Sequence, residues 1–149
     1  MADIEVQDTA RPEAAAATSV PAARLQPLRV EGKFFFAGDE KVFLKGVTYG
    51  PFPVGSDGTQ FPTPERARQD FGLMAKAGVN TVRVFTVPPV WLLDIAAEFG
   101  LRVLAGIPWS QHITFLDSNA TKSEIRRMVM AGVRSLGRHR ALLDRKSVV

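Results

Sequence analysis

Apolar and polar positions alternate along this chain in two periods. From Gly78 to Trp109 the sequence reads GVNTVRVF, TVPPVWLLDIAAEFG and LRVLAGIPW. Val79, Val82, Val84 and Phe85 are β-branched or aromatic and suit a strand buried on both faces. Leu101, Val103, Leu104 and Ile107 repeat that pattern. Between them, Pro89 fits a first helical turn, and Trp91, Leu92, Ile95, Ala96 and Phe99 form a helical apolar stripe. Gly100 suits a left-handed helix end. Gly78-Val79-Asn80 and Gly100-Leu101-Arg102 make the same helix-to-strand passage twice. A repeated β-α module predicts a parallel α/β fold, a barrel or an open sheet, with right-handed crossovers.

The pattern extends in both directions. Phe34–Phe36 and Val42–Leu44 flank a Gly/Asp turn and predict a β-hairpin. Lys45–Tyr49 (KGVTY) predicts a further strand, followed by a Gly/Pro-rich loop containing Asp57. Thr63-Pro64 opens a helix as N-cap and first residue, with Ala67, Phe71, Met74 and Ala75 on one face and Gly78 closing it. After a second loop, Ser110 to Ala120, Thr121-Lys122-Ser123-Glu124 matches a capping box. The helix that it opens carries Ile125, Met128, Val129, Val133 and Leu136, and Gly137 ends it. In LLDRKSVV, Asp144, Arg145 and Lys146 suit a buried parallel strand poorly, so a fourth strand is expected only in part. The expected domains are an Ala/Pro-rich disordered leader at 1–27, a folded α/β unit at 28–143 and a tail at 144–149.

Composition narrows this reading. The chain has 149 residues, 46% hydrophobic and 23% charged, which is ordinary for a globular protein. It has no cysteine, so disulfides and thiolate metal sites are excluded. Net charge is +4, with Arg126, Arg127, Arg134, Arg138, Arg140, Arg145 and Lys146 near the end. That basic third reads as a solvated helix face plus a tail, or as an anion- or nucleic-acid-binding surface. No apolar stretch reaches the roughly 20 residues of a membrane span, and the first residues lack a secretory h-region, so a cytoplasmic location is expected. No dinucleotide fingerprint, P-loop, nucleophile elbow or metal-ligand cluster occurs, and no cofactor or metal is expected.

In parallel α/β folds the chemistry sits beyond the C-terminal ends of the strands. Those positions hold Thr48 and Tyr49, then Arg83, Phe85 and Thr86, then Trp109, Ser110, Gln111 and His112. Arg83 has two readings, a ligand partner in the barrel mouth or a structural arginine paired with a nearby acid. Trp109 offers an indole face to a sugar ring, or packs beneath its loop. Asp57 and Asp117 are the only acids in the loops of that face. His139 reads as solvated among arginines.

Gly46-Val47-Thr48-Tyr49, Gly78-Val79-Asn80-Thr81-Val82-Arg83 and the order of the segments around them resemble the start of a (β/α)8 glycoside hydrolase of the clan that includes β-galactosidases and cellulases. PWSQHITFLDS, Pro108 to Ser118, looks more narrowly like the barrel domain upstream of family 2 glycosyltransferase domains in some bacterial proteins. The resemblance implies an incomplete TIM barrel of about three βα units preceded by a hairpin. It implies an ancestral activity on O-glycosyl bonds and a β-linked glycan as ligand, with Arg83, Trp109, His112 and Tyr49 on the substrate side. The two catalytic glutamates of that family, at the ends of its fourth and seventh strands, have no counterpart here. The chain is therefore expected to be a truncated barrel without activity of its own. Self-association through an exposed strand edge is expected too. A non-catalytic sugar-binding or assembly module, or a basic anion-binding α/β protein, remain the alternatives.

Overall fold

The structure, a computed structural model, describes residues 25–55, 58–108 and 118–148, and for 144–148 the backbone only. Three short strands come first: β1 (Leu28–Glu31), β2 (Phe34–Ala37) and β3 (Glu40–Val42), antiparallel in the order β1-β2-β3. The predicted hairpin is β2–β3, and β1 adds a strand that its mixed LRVE sequence did not announce. The fold engages the chain from Leu25, which packs against the core.

The second sheet is parallel, in the order β4-β5-β6-β7. It comprises β4 (Gly46–Thr48), β5 (Thr81–Val84), β6 (Arg102–Pro108) and β7 (Leu142–Val148). Helices α1 (Pro64–Lys76), α2 (Val90–Glu98) and α3 (Asn119–Leu136) connect them. This is the predicted α/β architecture, one part of a (β/α) barrel. β7 is a full strand beside β6, so the tail expected at 144–149 is a fourth parallel strand through Val148. Among the described residues β7 has β6 as its strand neighbour, which relaxes the apolar demand that weighed against Asp144, Arg145 and Lys146.

Successive strand side chains point to opposite faces. Val82, Val84, Val103 and Ala105 are fully buried on the face covered by helices. There they join Phe71 of α1, Leu92, Leu93, Ile95 and Ala96 of α2, and Leu136 of α3. The alternate residues, Thr81, Arg83, Arg102 and Leu104, belong to the other, concave face.

Both predicted helix-to-strand joints form Schellman turns. After α1, Gly78 (φ 80°) donates its N–H to Ala75 O and Val79 donates to Met74 O, each at 3.0 Å. After α2, Gly100 (φ 71°) donates to Ala97 O at 3.2 Å and Leu101 to Ala96 O at 2.8 Å. The helix starts follow the sequence less closely. Thr63 caps α1, its hydroxyl accepting from the Arg66 N–H at 3.4 Å, as predicted. Pro89 is the N-cap of α2 rather than its first helical residue. α3 begins before Thr121: Ser118 is the cap and accepts from the Thr121 N–H at 3.4 Å.

Candidate functional site at the concave sheet face

The register fixes what faces what. Thr48 pairs with Arg83, and Arg83 with Leu104, in one row across β4, β5 and β6. Thr48 is exposed and Arg83 half-buried. The Arg83 guanidinium carbon lies 4.8 Å from the Phe85 ring centroid, a cation–π contact within one strand end. Among the described residues no carboxylate or carbonyl pairs with that guanidinium. The structural-pair reading of Arg83 therefore finds no acid there, and its donors face the concave side.

Tyr49 belongs elsewhere. One residue beyond Thr48, the strand alternation turns it to the helical side. It is 6% exposed, its ring lies against Phe52 and Phe71, and its hydroxyl donates to Asp70 Oδ2 at 2.9 Å. Burial raises the Tyr49 pKa, and the bond to Asp70 adds to the shift. The expectation of Tyr49 at an open rim gives way to a core residue, and Thr48 is the strand-end side chain that shares Arg83's face. Trp109, His112, Asp57 and Asp117 lie outside the described residues.

A second arginine lies on the concave face nearer the strand starts. Arg102 pairs in register with Thr81 and is 6% exposed. Its guanidinium donates to Gln26 O at 2.8 Å, and burial lowers its pKa. It braces the chain ahead of β1 against the sheet, a role that the sequence concealed among strand residues.

Asn80 was legible only as a motif position. Its side chain accepts from the Lys45 N–H at 2.8 Å and the Thr81 hydroxyl at 3.0 Å, and donates to Phe43 O at 2.8 Å. Asn80 thus sets where β4 begins relative to β5, and so where Thr48 stands beside Arg83.

His139 is not solvated. Its side chain is 16% exposed, and it contacts Asp94 and the Ala141 amide. Exposed arginines 126, 127 and 134 do lie along α3, as a solvated face would. A groove of about 420 Å³ lined by Arg68, Trp91, Asp94, Glu98 and Arg140 opens between α1 and α2. Among the described residues no cluster of His, Asp and Glu could hold a metal ion, and no helix is long and apolar enough to cross a membrane.

No family model matches the chain. Over 61 residues it is 32% identical to the 1,3-beta-glucanosyltransferase gel1 of Aspergillus fumigatus, a match covering 41% of this chain and 14% of that protein. Among solved structures it is similar to Saccharomyces cerevisiae Gas2p in complex with laminaripentaose, at 20% identity and a TM-score of 0.59. That match covers 82% of this chain and 30% of Gas2p. It is also similar to the β-glucuronidase of Parabacteroides merdae, at 23% identity and a TM-score of 0.63, covering 80% of this chain and 15% of that one. The chain thus spans less than a third of the length of each of these three proteins. What these likenesses show is the fold: the chain carries four parallel strands and three helices of a (β/α) barrel of the kind seen in Gas2p and β-glucuronidase.

Proposed function

We propose that this chain is part of a carbohydrate-active barrel whose concave mouth takes a β-linked glucan. The observation that carries the reading is Arg83: a half-buried cation in the row of Thr48 and Leu104, without an acid beside it among the described residues. A guanidinium held over an aromatic ring is a ready donor to sugar hydroxyls, and Thr48 adds a hydroxyl on the same face. Trp109 and His112, at the end of β6 in sequence, are proposed as the sugar-facing rim. The sugar class is supported by the likeness to a 1,3-beta-glucanosyltransferase and to Gas2p in complex with laminaripentaose.

Binding rather than turnover is proposed for the chain by itself. A retaining glycosidase needs two carboxyls about 5–5.5 Å apart at the strand ends. The acidic side chains that the structure describes lie on the helices or in the first sheet, as Asp70, Asp94 and Glu98 do on α1 and α2. The narrower proposal of a barrel found upstream of a glycosyltransferase domain rests on Pro108 to Ser118 alone.

Titration of the chain with laminaripentaose, followed by amide NMR and calorimetry, tests the reading. Saturable shifts at Thr48, Arg83 and Phe85 are expected, with affinity reduced roughly tenfold in Arg83→Met, the loss of about one charge-assisted hydrogen bond. No saturable shift, or equal affinity in Arg83→Met, would overturn it.

A further inference from the structure

We propose that the outer face of α3 is a docking surface for an anionic lipid bilayer. At about 100° per residue, Lys122, Arg126, Met130, Arg134 and Arg127 of this helix fall within one arc of about 140°. All five are exposed, Met130 at 43%. The arc also holds Asn119 and Ser123, polar and uncharged, in its first turns. Glu124, the one acid of α3, lies outside it, and so do Gly132 and Leu136, the buried residues of the helix. The face is positive along most of its length. Arg138, exposed just past the helix end, prolongs the charge.

The fold does not neutralise these cations. On α1 each arginine has an acid: Arg66 pairs with Asp70 at 2.9 Å and Arg68 with Glu98 at 3.2 Å. Among the described residues Lys122, Arg126, Arg127, Arg134 and Arg138 form no ion pair, and the acids of α2 are engaged by His139 and Arg68. Lys122 and Arg126 stand four residues apart, a like-charge spacing that opposes the helix. An anionic partner would relieve that repulsion.

The chemistry of the arc favours phospholipid. Three of its four cations are arginines, whose planar fork matches the oxygens of a phosphate. It carries no aromatic side chain on which a nucleic-acid base could stack. Met130, near its centre, is a flexible apolar side chain that a bilayer interface takes up among the headgroups. The other side of α3 is engaged with the fold, through Leu136 in the core and Gly132 against Ile107. The helix therefore lies on the membrane surface and does not enter it.

Flotation of the intact chain with vesicles tests the surface. Binding is expected to phosphatidylcholine mixed with phosphatidylglycerol and not to phosphatidylcholine alone, and it should fall as salt rises and screens the contact. Arg126→Gln combined with Arg134→Gln should weaken it roughly thirtyfold, at about fivefold per arginine near an anionic surface. Lys33→Gln combined with Lys76→Gln makes the same change in net charge at two exposed lysines off this face, and should change binding little. Melting curves verify that both variants fold. Laminaripentaose binding should persist in the arginine pair, which touches no residue of the concave face. Equal weakening by the two pairs would overturn the proposal, and so would absence of binding to the mixed vesicles. If in that second case a DNA duplex binds and the arginine pair weakens it, the face belongs to nucleic acid instead.

Discussion

The Tyr49 hydroxyl donates to Asp70, joining the end of β4 to the middle of α1, and Arg66 Nε donates to both oxygens of the same carboxylate at 2.9 and 3.0 Å. Tyr49→Phe should remove one hydrogen bond while Arg66 keeps Asp70 paired, at a cost of about 1 kcal/mol. The same relationship predicts an alkaline signature. The folded Tyr49 pKa is raised by burial and by Asp70, so its contribution is complete below the unfolded tyrosine pKa of about 10 and is lost as the pH rises above that value. Urea melts from pH 8 to 11 should show a stability loss in the wild type that is smaller in Tyr49→Phe.

Asn80 bonds three groups through one side chain, two of them in the connection from β3 to β4. Asn80→Ala is expected to cost about 2 kcal/mol. Asn80→Asp should cost less, since it keeps the acceptor for Lys45 and Thr81 and loses the donor to Phe43. Denaturant midpoints of the two variants, compared at pH 7, check the ranking.

Two helical glycines should respond in opposite directions. A methyl at Gly72 in α1 would meet Phe99 at 3.4 Å, an ordinary contact, so Gly72→Ala should stabilise by up to about 1 kcal/mol through helix propensity. A methyl at Gly132 in α3 would stand 3.2 Å from both Ile107 and Val87, and Ile107 is held in the sheet. There overpacking of about 1–3 kcal/mol should exceed the propensity gain, and thermal melts should place Gly132→Ala below the wild type.

β4 pairs with β5 alone among the described residues, and its Val47 is 39% exposed. Concentration-dependent association through this edge is expected in sedimentation velocity. Val47→Lys should lessen it without a large stability change, because a charge on an edge strand opposes further pairing. Equal association in both proteins would place the contact elsewhere.

The sequence announced most of the sheet because Val82, Val84, Val103 and Ala105 alternate with residues of a different character, and because glycine marks both helix ends. Where it misled, side-chain partners distant in sequence decided the outcome. Tyr49 resembled a rim residue until pairing with β5 fixed its parity. His139 looked solvated because Asp94 lies 45 residues away in the chain. The α3 cap moved to Ser118 because one hydroxyl in a loop competes with another three residues on, and local spelling cannot rank them. β7 was obscured by charges that a strand with one described neighbour tolerates.

The two matching Schellman turns give the chain interchangeable joints. Each delivers its strand from a left-handed glycine with the same pair of backbone bonds, and Val79 and Leu101 occupy the same place beyond it. α1 has 13 residues and α2 has 9, yet both enter their strands in the same way, so the joint is independent of the length of the helix before it.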